Sequence, residues 1–147
     1  AARNKKEIKY TAIDLNPLTE DIYSKLNYAQ ILNKDALYEA IMKAPWDERE
    51  LVYPFFKLSK INDDLLLHVF SERFDIIYFD AFAPTDQPEM WDDSICKKMF
   101  DVLNSGGALV TYCSKSVVRK AFVKAGFVVE KLPGPLGKRD IVRAIKP

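Results

Sequence analysis

Asp80 is the residue whose surroundings most suggest chemistry. It follows a continuous apolar run, Phe74-Asp75-Ile76-Ile77-Tyr78-Phe79. It opens the segment Asp80-Ala81-Phe82-Ala83-Pro84, and Gln87-Pro88-Glu89-Met90-Trp91 comes shortly after. An acid, aromatic rings and a proline-stiffened loop at the end of a strand make a pocket wall. The same residues would also serve as a structural loop whose Phe82 and Trp91 fill the core. Asp14 is the second candidate, at the end of the alternating stretch Ile8-Lys9-Tyr10-Thr11-Ala12-Ile13. An acid there accepts hydrogen bonds from ribose hydroxyls, or simply caps the turn that follows.

Other chemistries fail on residue supply. His68 is the only histidine, so a Ser-His-Asp arrangement or a His-ligated metal would rest on it alone. Its neighbours, Leu65-Leu66-Leu67-His68-Val69-Phe70, read as a packing segment. No metal is expected. Cys96 and Cys113 fit neither a disulfide scaffold nor a zinc site, and they read as reduced thiols of a cytoplasmic protein. Cys113 has no basic partner that spacing can assign.

These residues need elements to place them. The 147 residues are 48% hydrophobic, which suits one ordinary folded domain spanning 1–147 and argues against disorder. No apolar run approaches the roughly 20 residues of a membrane span. Strands are expected at 8–13, 51–58 (an edge candidate because of Pro54), 74–79, 108–112, 127–131 and 141–145. Helices are expected from about 17 to 26, over 35–43, from Asp93 or Ser94 to the Gly106-Gly107 stop, and from Ser114 or Ser116 to Gly126. Ile95, Met99, Val102 and Leu103 line one helix, while Val118, Phe122 and Ala125 line the next. The uninterrupted run at 74–79 is the pattern of a strand covered on both faces. The alternation means an α/β fold with a mostly parallel sheet, closed by an antiparallel C-terminal strand pair.

The net charge of +1 hides an asymmetry. From Lys115 onward nine basic residues face only Glu130 and Asp140, a net of +7, and the preceding 114 residues carry the balancing −6. Such a tail reads either as a surface for a polyanion or as solvated helix faces. The five glycines all lie at or after Gly106, which rules out a complete glycine-rich nucleotide loop within this sequence.

Asp80-Ala81-Phe82-Ala83-Pro84 with Pro88-Glu89-Met90-Trp91 resembles the motif of the MnmC-type tRNA methyltransferase domain. Pro133-Gly134-Pro135-Leu136-Gly137-Lys138-Arg139 is similar to that family's C-terminal Gly-Lys-Arg segment. Ile13-Asp14-Leu15-Asn16-Pro17-Leu18 is similar to its second strand, acid and Pro-Leu turn.

The resemblance implies an S-adenosylmethionine-dependent methyltransferase with a Rossmann-like sheet. It would act on the exocyclic amine of 5-aminomethyl-(2-thio)uridine at the tRNA wobble position. Asp14 would bind the ribose of the cofactor. Asp80 would face the cofactor's methionine part and the incoming amine. Phe82, Pro84 and Trp91 would shape the base pocket. Lys138, Arg139 and the 115–124 stretch would contact tRNA phosphates.

Two departures stand out. The family's first strand and glycine loop belong before Ile8, so the chain is expected to be part of a longer protein and to bind S-adenosylmethionine weakly alone. Where relatives place an acid for the adenine side, this sequence has Ser59-Lys60-Ile61, with Asp63 and Asp64 nearby. The competing expectations are a methyltransferase of the same fold acting on another amine or small molecule, and a non-catalytic RNA-binding remnant.

Overall fold

The computed structural model describes residues 6–134 and 140–147. The chain divides into two compact units, 1–68 and 69–147.

The first unit opens with β1 (Ile8–Ile13), followed by α1 (Glu20–Tyr23), α2 (Tyr28–Leu32), α3 (Asp35–Lys43), β2 (Arg49–Tyr53) and β3 (Phe56–Ile61). Its sheet order is β1-β3-β2. β1 and β3 run parallel, from Ile8 opposite Phe56 to Ile13 opposite Ile61, and β2 is antiparallel to β3. The single strand expected over 51–58 is a hairpin. Pro54 offers no N–H to a ladder, and Phe55 turns the chain with φ 63°. The helix expected over 17–26 shrinks to the four residues of α1, and the Tyr38 hydroxyl donates to the Tyr23 carbonyl at 2.7 Å to hold it against α3.

Lys60 is buried on β3. Its ammonium donates to the carbonyl of Met42 in the last turn of α3, at 2.8 Å, and stands 4.9 Å from the Trp46 ring centre. Burial lowers its pKa.

The second unit contains β4 (Phe74–Tyr78), a short 3-10 turn (Pro88–Trp91), α4 (Asp93–Val102), β5 (Leu103–Thr111), α5 (Ser116–Ala125), β6 (Val128–Pro133) and β7 (Asp140–Ile145). The order is β4-β5-β7-β6, with β4 and β5 parallel and β7 antiparallel to both of its neighbours. Among the described residues, only one strand in each sheet therefore opposes the rest. The C-terminal antiparallel pair is the expected one. The core joins Ile95, Cys96 and Met99 of α4, Val118 and Phe122 of α5, and Leu103, Leu109, Phe127, Val142 and Ala144.

Two expectations change here. Gly106 and Gly107 do not stop α4, which ends at Val102; they form a bulge within β5. Phe74 faces Leu103, yet Ile76 faces Ala108, so the four residues 104–107 stand against the single Asp75 and three of them are extra. Gly106 has φ +77°, which suits glycine there. β4 is not covered on both faces: it is the edge of its sheet, with Ile76 54% and Tyr78 66% exposed. Gly126 does end α5, at φ 109°.

Candidate functional site

Asp14 extends β1 by one residue, its amide donating to the Ile61 carbonyl at 3.0 Å. Its Oδ1 accepts the Asn16 amide at 2.8 Å, and the carboxylate is exposed. Because β1 and β3 are parallel, their carboxyl ends coincide and bring Asn62 beside Asp14. The Asn62 amide group donates to the carbonyls of Asp14 (3.0 Å) and Leu15 (3.2 Å). Asn62 is absent from the sequence reading, since only the strand register brings positions 14 and 62 together. Of the acids near the end of β3, Asp63 is engaged by His68, Nδ1 to Oδ2 at 2.8 Å. The segment around His68 packs only in part: Phe70 meets Phe74 edge-on at 5.5 Å, while Leu67 is 77% and Val69 84% exposed.

In the second unit the candidates gather at the carboxyl ends of β4 and β5. The Phe79 amide donates to the Val110 carbonyl at 2.8 Å, continuing the parallel ladder and bringing Asp80 beside Tyr112. A depression of about 260 Å³ is lined by Tyr78, Phe79, Asp80, Val110, Thr111, Tyr112 and Ile141. Asp80 is exposed and has no hydrogen-bond partner among the described residues.

The loop after Asp80 is tied from below. The Trp91 indole N–H donates to the Phe82 carbonyl, and the Tyr112 hydroxyl donates to the Ala81 carbonyl, both at 2.8 Å. Trp91 is 6% exposed and packs edge-on against Phe79 at 5.1 Å and Tyr112 at 6.3 Å. It sits beneath the loop, while Phe82, 75% exposed, offers its ring to solvent; Pro84 is half-buried. The Asp86 and Gln87 amides both donate to the Ala83 carbonyl, closing the turn before the 3-10 segment.

The thiols lie in the core. Burial, with Asp93 and Asp92 nearby, pushes Cys96 up to about 11, and both cysteines are free and buried. Among the described residues no cluster of three metal-ligating side chains occurs, and no helix is long and apolar enough to cross a membrane.

The basic tail is largely occupied internally. Lys124 pairs with Asp93, and Lys131 pairs with Asp140 at 2.7 Å. Arg143 donates twice to Glu130 Oε2, at 2.9 and 2.6 Å. Lys146 donates to the carbonyls of Leu103 and Phe100 at the C-terminal end of α4. Lys138 and Arg139 lie outside the described residues.

Acids at the carboxyl ends of parallel strands suit a ligand carrying ribose hydroxyls and a cationic head group. Asp14 keeps one carboxylate oxygen without a partner among the described residues, and Asp80 keeps both. Each therefore fits such a ligand as a hydrogen-bond acceptor.

Residues 36–147 match the family of S-adenosyl-L-methionine-dependent methyltransferases, and the chain belongs to that family. It is 28% identical over 155 aligned residues to the tRNA 5-methylaminomethyl-2-thiouridine biosynthesis bifunctional protein MnmC of Actinobacillus pleuropneumoniae serotype 5b (strain L20), across 97% of this chain and 22% of that protein. It is 34% identical over 84 residues to the protein of the same name from Ralstonia nicotianae, across 57% of this chain and 13% of that one. The chain thus spans 22% of the length of the first of these relatives. Among solved structures, MNMC2 from Aquifex aeolicus superposes with a TM-score of 0.71 at 21% identity, covering 96% of this chain and 46% of that one. A methyltransferase from Pyrococcus furiosus gives 0.55 at 19% identity, covering 94% and 62%. The Rossmann-like methyltransferase fold is thereby shown.

Proposed function

We propose that this chain belongs to an enzyme that methylates the amine of 5-aminomethyl-(2-thio)uridine at the tRNA wobble position, and that residues 1–147 are a single, partial methyltransferase domain. The observation that carries the reading is Asp80: an exposed carboxylate without a hydrogen-bond partner among the described residues, at the head of a loop tied to the strand ends beneath it. The relatives bearing the MnmC name support the substrate.

S-adenosylmethionine supplies an electrophilic methyl on a sulfonium. An amine attacks it only when unprotonated, and a free alkylamine is mostly protonated at neutral pH. Asp80 would accept a hydrogen bond from the amine, orient the nitrogen lone pair and take the proton released as the N–C bond forms and the methyl–sulfur bond breaks to leave a neutral thioether. Asp14 accepts from ribose hydroxyls through its open carboxylate oxygen. Phe82 offers the exposed ring on which an extruded base stacks, with Pro84 stiffening the loop and Trp91 holding it from below. Lys138, Arg139 and, from the 115–124 stretch, Lys115, Arg119 and Lys120 contact tRNA phosphates, a role consistent with a cytoplasmic enzyme.

Protein carrying this sequence, given methyl-labelled S-adenosylmethionine and tRNA bearing the unmethylated aminomethyl group, should label the wobble uridine. Asp80→Asn should lower the rate at least about 100-fold, the scale of a general base. An unchanged rate for Asp80→Asn removes the assignment, and label on another molecule but not on tRNA removes the substrate.

A further inference from the structure

Two consecutive carbonyls follow Asp80, and each is held by an aromatic side chain from elsewhere in the fold. Tyr112 donates to Ala81 and Trp91 to Phe82, both at 2.8 Å. The two rings meet edge to face at 87°, and Trp91 stands on Phe79, the residue before Asp80. The two peptide units that begin one residue after the acid are therefore fixed by a connected pair of donors, one from the end of β5 and one from the 3-10 turn.

Trp91 is deep in the core, whereas Tyr112 is 37% exposed and lines the same depression as Asp80. Thr111 Oγ1 accepts the Cys113 amide at 3.2 Å, which turns the backbone directly after the tyrosine. Burial first, then Cys113 and the Asp80 and Asp86 carboxylates, raises the phenol pKa, so the hydroxyl remains a donor at and above neutral pH.

We propose that Tyr112 is the positioning residue for Asp80: its hydroxyl locks the Ala81 carbonyl, and with it the direction of the carboxylate toward the reacting amine. The proposal rests on the methyltransferase reading for its consequence, though not for the clamp itself. Tyr112 touches neither reactant in this account and acts through the backbone. A carboxylate free to swing would spend more time out of line with the amine, which lowers the chemical step and leaves binding alone.

Tyr112→Phe removes the donor and keeps the ring. In protein carrying this sequence, kcat should fall about fivefold, the equivalent of one neutral hydrogen bond. KM for both substrates should be unchanged. Independently of turnover, hydrogen exchange of the Trp91 indole N–H, followed by NMR, should speed up about fivefold as the loop opens more often. Indole exchange at the wild-type rate overturns the clamp. An unchanged kcat overturns the positioning role. A matching collapse of the denaturation midpoint, cured by no aromatic replacement, overturns it in favour of plain packing. Wild-type protein that transfers no methyl group to tRNA removes the function proposed above, and the exchange measurement still decides the clamp.

Discussion

Replacing Lys146 with methionine isolates what one cation contributes at the C-terminal end of α4. The last carbonyls of a helix have no partner within it and carry the negative end of the macrodipole. Here two cations from elsewhere in the unit serve them. Lys146 Nζ lies 2.7 Å from the Leu103 carbonyl, 2.9 Å from that of Phe100, and 4.8 Å from the Phe100 ring centre. Arg73 Nη1 reaches the Asp101 carbonyl at 2.6 Å and that of Leu103 at 3.2 Å.

Methionine keeps the unbranched stem and removes the donors. Leu103 keeps Arg73, and Phe100 keeps the Leu103 amide, so no carbonyl is stranded. Each lost bond is therefore worth about 1 kcal/mol rather than the larger value for charged donors. The ring contact adds about 0.5 kcal/mol, for about 2.5 kcal/mol in all. With a urea m-value of about 1.5 kcal/mol/M, the midpoint of the second unit should fall by about 1.7 M with unchanged slope, read from Trp91 fluorescence in a background where Trp46 is replaced. Lys146→Arg should recover most of it. A Lys146→Met midpoint within about 0.3 M of wild type would refute the cap as a source of stability.

Trp91→Phe deletes the donor to Phe82 and leaves a gap in a buried site, costing about 2 kcal/mol; chymotrypsin should then cut at Phe82 faster than in wild type. Lys60 has its folded pKa below the ordinary 10.5, so its buried charge weighs on the fold at neutral pH. As pH rises from that lowered value toward 10.5 the native state sheds its proton first, and stability should rise. Lys60→Met should lack this rise, and parallel profiles for the two proteins in urea titrations from pH 8 to 10.5 would contradict it. Cys96, buried and pushed up to about 11, should resist a thiol reagent at pH 8 in native protein and react once urea unfolds it; rapid native labelling at this position would show that the core opens readily.

The strands were legible wherever the signal was local and apolar. β1, β4 and the second half of β5 are strands where expected, because alternation or an unbroken apolar run leaves little choice, though the run at β4 misled about its cover. The apolar spacing of Ile95 and Met99, and of Val118 and Phe122, located α4 and α5 and their buried faces. The hairpin at Pro54-Phe55 was hidden because phenylalanine carries no mark of a left-handed turn. Gly106-Gly107 misled because two glycines after a helical stretch look the same whether they cap a helix or bulge a strand.

The Asp80 loop was visible as a compact block of sequence. Tyr112, 31 residues from the carbonyl it holds, was not, since only the parallel register of β4 and β5 brings it there. Trp91 was open to two readings, pocket wall or core filling; it fills the core, and what sequence could not convey is that its indole N–H holds the Phe82 carbonyl.

The internal pairing of the basic tail sets how the protein would respond to salt. Each phosphate neutralised on duplex nucleic acid releases a condensed counterion, and log K falls by about 0.9 per contact against log salt. Nine free cations from Lys115 onward would give the tail a slope near −8. With Lys124, Lys131, Arg143 and Lys146 already occupied, Lys115, Arg119 and Lys120 remain, together with Lys138 and Arg139 outside the described residues. Should the chain bind tRNA as proposed, the tail's share of the slope would be no steeper than about −4.5, because the paired cations tie the sheet and helices together instead.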